Sequence, residues 1–464
     1  ESKERVRSAI RNSGYPFPVK RITINLAPAD YKKEGSYYDL PIALGILSCM
    51  GLIEQDLLNS CLVVGELSLD GNIRQVKGIL PIVCAAKANH MKECLLPIKN
   101  APEGALVEGI NIIGLASLQE AILHLNGEAL SPPFTDKVNK QSESPTNQLD
   151  FHDVKGQENV KRALEIAAAG HHNLIMIGGP GSGKTMMAHR LPTILPDLSL
   201  ENSIEVTKIY SICGKLNQNS HVINTRPFRA PHHTTTPAAL IGGGRVPKPG
   251  EISLAHHGVL FLDEFLEFNK HSLETLRQPL ESNTVTISRV NGSYTFPANF
   301  MLVASTNPCP CGFYPDDSKC HCSSHSIKQY RHKLSGPLLD RIDIHIETPL
   351  IPYEKLISND GEYSKDIKAR VSAAAKIQEK RYENDSIMYN SQLSPGLIEK
   401  YCALGHEEIS VLKKAFLELD LSIRSYHKII KLARTIADLD ESANINLIHL
   451  YEAIQYRGLD RQCY

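Results

Sequence analysis

The octapeptide Gly178-Gly179-Pro180-Gly181-Ser182-Gly183-Lys184-Thr185 constrains this chain more than any other segment. It follows the apolar run Leu174-Ile175-Met176-Ile177, which reads as a short buried strand. It precedes Met186-Met187-Ala188-His189-Arg190-Leu191, which can start a helix. A glycine-rich loop between a strand and a helix lets backbone N–H groups curl around phosphates, where the helix dipole also favours negative charge. In this reading Gly178, Gly179, Pro180, Gly181, Ser182 and Gly183 form the cradle. Lys184 reaches the β- and γ-phosphates, and the Thr185 hydroxyl holds Mg2+. The expected ligand is ATP with Mg2+.

Hydrolysis needs further parts. Gly258-Val259-Leu260-Phe261-Leu262-Asp263-Glu264 is an apolar strand ending in two carboxylates. Asp263 is then expected beside the metal, with Glu264 left to polarise the attacking water. A third apolar strand, Phe300 to Thr306, ends at Asn307, which either orients that same water or starts a turn before Pro308.

At 464 residues the chain exceeds one ordinary core, so two or three domains are expected. The net charge of −1 means that any polyanion site is a local patch or a ring built by oligomerisation. The apolar stretch Leu40 to Ile53 contains Pro41 and is too short to span a bilayer, so it reads as a buried helix and no membrane partner is expected. The sequence starts at Glu1, so targeting is left open at that end. Eleven cysteines, mostly scattered singly, point to reduced thiols in the cytoplasm.

Residues 1–130 carry mixed helix and strand signals. Ile22, Ile24 and Leu26 alternate with polar residues as in a half-buried strand, and Asp70-Gly71 lies between apolar runs as in a hairpin. A polar linker spans 131–150. The ATPase core is read over 151–352, with a cysteine-rich insert at 309–322. A helix-rich segment covers 353–464, where Ile429, Leu432, Ala433, Ile436 and Ala437 recur at helical spacing. The fold class is thus α/β, a parallel sheet with flanking helices, with an α+β domain before it and a helical lid after it.

With these parts in hand, the chain resembles the magnesium-chelatase-like ComM/YifB family of AAA+ ATPases. The resemblance rests on Phe228-Arg229-Ala230-Pro231-His232-His233, Gly242-Gly243-Gly244, Pro249 to His256, Asn307-Pro308-Cys309-Pro310-Cys311-Gly312 and Ala433 to Leu439. It implies a homo-oligomeric ring, usually a hexamer, with ATP at subunit interfaces. It places Asp153 to Gln157 near the adenine, makes Arg341 an arginine finger offered to a neighbour, and makes Arg424 the sensor arginine of the lid. It also implies a DNA motor driving branch migration of recombination intermediates, with a chelatase-type motor acting on a protein partner as the alternative. Thr284 to Phe296 alternates around Asn291-Gly292 as a hairpin, and in related ring motors such a hairpin faces the pore. Arg289 is then either a contact to threaded DNA or part of a plain structural hairpin.

The first domain resembles the proteolytic domain of Lon, but Tyr37 stands at the serine position and Val83 at the lysine position. A dyad without its base cannot activate a hydroxyl, so no protease is expected. A shifted pair, Ser36 with Lys87, is the remaining arrangement. Cys309, Cys311, Cys320 and Cys322 form two C-x-C pairs that either hold a structural Zn2+ or remain metal-free thiols, with His321 and His325 able to replace one ligand. The pairs His232-His233 and His256-His257 are read chiefly as hydrogen-bonding residues.

Overall fold

The computed structural model describes residues 2–27, 33, 35–135, 149–216, 221–289, 292–351 and 361–458. Residues 136–148 of the expected linker and the turn residue Asn291 lie outside them. Two compact units emerge: Glu1–Glu143 with Ser199–Asn224 and Arg289–Gly292, and Ser144–Leu198 with Thr225–Ser288 and Ser293–Tyr464.

In the first unit, strands Cys61–Val63, Glu93–Pro97 and Asn111–Leu115 form a parallel sheet with Glu93–Pro97 in the middle. Parallel neighbours need a crossover, and the helix Ile79–Ala88 supplies the first one. The expected hairpin forms as Glu66–Leu67 paired antiparallel with Ile73–Arg74, with Gly71 at φ 87° in its turn. The Leu40 to Ile53 stretch is mostly the buried helix Asp39–Cys49. The strand expected around Ile22, Ile24 and Leu26 does not form. These side chains are exposed, and without a neighbouring strand to pair with, alternation alone does not make a sheet.

Val83 is wholly buried in this unit's core. The Ser36 hydroxyl donates to the Glu66 carboxylate, while the Lys87 side chain lies along Gly109, so the shifted pair is divided between other partners. The helix Leu200–Cys213 also belongs to this unit. It packs on Ile79–Ala88, with the Gly78 N–H donating to the Ser211 carbonyl at 3.2 Å. The buried Glu103 carboxylate accepts from both the Ser211 hydroxyl and the Leu80 N–H.

The second unit is built on five parallel strands: β1 (Leu174–Ile177), β2 (Phe228–Arg229), β3 (Val259–Leu262), β4 (Met301–Thr306) and β5 (Ile344–Glu347). Their spatial order is β5-β1-β4-β3-β2. Both faces are buried, as continuous apolar strands require. Leu174, Met176, Val259 and Phe261 face one core with the helices Glu158–Gly170, Ser364–Arg381 and Ile423–Leu439. Ile175, Leu260, Leu262 and Leu302 face the other. The hairpin expected over Thr284 to Phe296 is present as Thr284–Arg289 beside Gly292–Pro297, where Thr286 and Thr295 hydroxyls meet at 3.2 Å.

Candidate active site

The register of the sheet decides what meets at its carboxyl edge. Ile177 at the end of β1 is level with Thr306 at the end of β4 and with Glu347 of β5, while Leu262 of β3 is level with Ala304. The loop Gly178–Gly183, the acids after β3 and Asn307 after β4 therefore converge. Gly181 and Gly183 have φ of 78° and 81°, which side chains rarely adopt. A Cβ on Gly178 would lie 1.9 Å from Thr348 Oγ1, so the loop passes where only glycine fits.

Lys184 donates to the carbonyls of Gly178 (2.6 Å) and Gly179 (2.9 Å), and Asn307 Oδ1 lies 3.5 Å from its Nζ. Burial lowers the Lys184 ammonium below its ordinary value, against the pull of Asp263 and Glu264. Thr185 Oγ1 donates to Asp263 Oδ2 at 2.7 Å. Asp263 Oδ1 in turn accepts from the Ser305 hydroxyl and from the Glu264 N–H at 3.0 Å. Glu264 is in the left-handed region at φ 50°, and His233 Nδ1 is 3.2 Å from its Oε2. The Gln157 amide ties the segment before the first core helix to this edge through the carbonyls of Ser182 (2.9 Å) and Pro349 (2.8 Å).

Arg341 and Arg424 stand elsewhere. The Arg341 carbonyl accepts from Asn173 just before β1, so this residue sits at the amino edge of the sheet, about 13 Å of strand away from the loop. Its guanidinium binds Glu281 at 2.5 Å and the Pro337 carbonyl at 2.6 Å. Arg424 lies at the start of the helix Ile423–Leu439, 3.8 Å from Asp340. Arg341 first, and Arg424 after it, hold the Glu281 carboxyl below its usual value, so one acid faces both arginines. Two residues beyond Arg341, buried Asp343 pairs with Lys428 of the same helix at 2.8 Å and accepts from the Asn173 N–H. Burial alone would raise this carboxyl, but Lys428 and His172 hold it well below the carboxylate range.

The four cysteines do come together: Cys309 and Cys311 sulfurs are 3.3 Å apart, Cys311 and Cys320 3.6 Å, and Cys309 and Cys320 3.8 Å. The Phe313 N–H lowers the Cys311 thiol to about 6. Neither His321 nor His325 joins the cluster. The rings of His232 and His233 lie against each other in a tilted arrangement, as do those of His256 and His257, and His256 Nδ1 accepts from the Asn299 N–H. Arg289 is exposed at the end of the first hairpin strand.

Sequence reading missed Ser305, Thr348 and Glu281. A serine inside a strand or an acid at a helix end carries no local signal, and each acts through a partner at least 42 positions away.

A parallel sheet of this order, with a phosphate loop after β1, an acidic pair after β3 and a polar tip on β4, defines a P-loop ATPase of the AAA+ class. Family models agree: "Magnesium chelatase, subunit ChlI" matches residues 150–356, "Subunit ChlI of Mg-chelatase" residues 1–100, and its C-terminal model residues 361–457. The chain is 43% identical to competence protein ComM of Haemophilus influenzae, covering 99% of this chain and 90% of that protein. It is likewise 43% identical to protein YifB of Escherichia coli K12 over the same shares. Lon protease 2 of Bacillus subtilis is 30% identical over 145 residues, 30% of this chain and 26% of the protease. The chain belongs to the magnesium-chelatase-like ComM/YifB family of AAA+ ATPases. That membership implies ATP and Mg2+ as its cofactors. No helix among the described residues is long and apolar enough to cross a membrane.

Proposed function

We propose that the chain assembles into a ring, six copies around a pore, in the cytoplasm, and that ATP hydrolysis at the subunit interfaces drives branch migration of DNA recombination intermediates in natural transformation. One observation carries this reading: the likeness to ComM spans 99% of the chain, so the first unit and the helical segment come with the ATPase core as a set. A one-domain resemblance would have supported ATP binding alone. The exposed Arg289, on a hairpin of the kind that lines pores in related motors, supports a contact to the DNA backbone.

The residues fit Mg2+ and ATP. Thr185 and Asp263 present hard oxygen donors 2.7 Å apart, and Gly181 and Gly183 of the cradle hold left-handed φ values that let the loop curl as a phosphate cradle must. Bound there, Mg2+ would neutralise charge on the β- and γ-phosphates. Lys184 exchanges its loop carbonyls for phosphate oxygens. Glu264 takes the proton of the attacking water, and His233 holds that carboxylate until the substrate is in place. Asn307 orients the water, and Gln157 fixes the segment Asp153 to Gln157 beside the base. Because Arg341 and Arg424 share the amino edge of the sheet, both serve a neighbour's nucleotide rather than their own. The first unit, with Tyr37 and Val83 at the dyad positions, acts in assembly or substrate contact. A structural zinc ion sits among Cys309, Cys311, Cys320 and Cys322.

Steady-state hydrolysis without DNA, with single-stranded DNA and with a four-way junction tests the reading. Stimulation by the junction is expected. Hydrolysis indifferent to every DNA would overturn it and favour the chelatase-type motor acting on a protein partner.

A further inference from the structure

We infer that a zinc ion held by Cys309, Cys311, Cys320 and Cys322 braces the phosphate-binding loop, so that ATP affinity depends on a metal that touches neither ATP nor water. This rests on the zinc assignment just given. The four sulfurs all lie within 4.8 Å of one another, with separations of 3.3, 3.6 and 3.8 Å. A tetrahedral ion with Zn–S bonds of about 2.3 Å sets its sulfurs about 3.8 Å apart. A disulfide needs about 2.05 Å. An iron–sulfur cluster spreads its thiolates over several irons, which this spacing does not allow. One soft ion fits, and an all-thiolate set selects zinc over Mg2+ or Ca2+.

The surroundings of the sulfurs point the same way. The Tyr314 N–H donates to the Cys309 sulfur at 3.4 Å, as an outer-shell donor to a metal-bound thiolate does.

The brace itself is seen in how the insert meets the loop. A Cβ on Gly312 would lie 2.8 Å from Pro180 Cδ, and a Cβ on Gly179 would lie 3.0 Å from the Gly312 carbonyl. The insert is thus pressed on the cradle with no room for a methyl group. It begins two residues after Asn307, whose side chain approaches Lys184. Arg331 clasps it from the other side, donating to the Pro308 carbonyl at 3.3 Å and lying over the Tyr314 ring at 5.1 Å. No helix or strand occurs between Thr306 and Ser324, and Phe313 and Tyr314 are exposed, so the insert has little core of its own. A long structureless loop of this kind needs a crosslink to hold one shape.

The test is metal analysis of the full chain purified without added metal, paired with binding of a fluorescent ATP analogue. One zinc per chain is expected, lost in Cys311→Ser and Cys322→Ser, with nucleotide affinity weakened about tenfold or more. Since a variant can fail to fold, the wild-type chain is also stripped with a chelator and reloaded with zinc alone; affinity should fall and return. A chain without zinc, or with iron in its place, would overturn the zinc assignment and the brace together. Zinc that is present but removable with affinity unchanged within twofold would overturn the brace alone. Either result leaves the response of hydrolysis to DNA as a separate question.

Discussion

Thr185 Oγ1 donates to Asp263 Oδ2 at 2.7 Å, joining residues 78 positions apart at one point, and Ser305 holds the other carboxylate oxygen. Of the two expected Mg2+ ligands, Asp263 is therefore oriented by both Thr185 and the buried Ser305 hydroxyl. Ser305→Ala should raise the Mg2+ concentration needed for half-maximal hydrolysis by about 10- to 100-fold, the usual cost in affinity of losing an outer-shell partner. A Mg2+ titration of ATPase activity with saturating ATP reads this directly.

Lys184 and Glu264 approach the site from different elements, and their losses should separate. Lys184→Ala is expected to abolish binding of a fluorescent ATP analogue. Glu264→Gln should bind it normally and lose about 10²- to 10⁴-fold in kcat. Equal loss of binding in both variants would mean that Glu264 shapes the pocket rather than the reaction.

The arginines at the amino edge call for a mixing experiment. Arg341→Ala should lower kcat by about 10³- to 10⁵-fold. Mixed with Lys184→Ala subunits, it should regain activity, because some interfaces then combine an intact loop with an intact finger. A mixture as inactive as its parts would place Arg341 outside catalysis.

Asp343 is a buried carboxylate paired with Lys428, and breaking such a pair costs about 3–5 kcal/mol. Asp343→Asn should lose that much in urea unfolding at pH 7. The folded carboxyl is held below its unfolded value, so its contribution is present above about pH 4 and is lost as pH falls below that. Wild-type stability should therefore decline on acidification more steeply than that of Asp343→Asn.

The cradle, the Asp263-Glu264 pair and Asn307 were legible in sequence because each is local: apolar strand, then a chemical group at its tip. The sheet order, which the apolar runs do not themselves announce, is what places those tips together. Ser305, Thr348 and Glu281 were illegible because their roles exist only across the fold. The alternation of Ile22, Ile24 and Leu26 misled for the opposite reason, since a local pattern without a pairing partner stays exposed. Likewise, nothing in Leu200–Cys213 announces that it packs with the first unit, although the chain enters and leaves it from the ATPase core.

The most direct measurement is real-time branch migration of a four-way junction carrying a fluorophore pair on two arms, with wild-type chain and with Glu264→Gln. A motor should separate the labelled arms only when ATP is hydrolysed, leaving the junction intact with Glu264→Gln or without ATP. A junction that stays unmoved while wild-type chain hydrolyses ATP at full rate would contradict the proposed function.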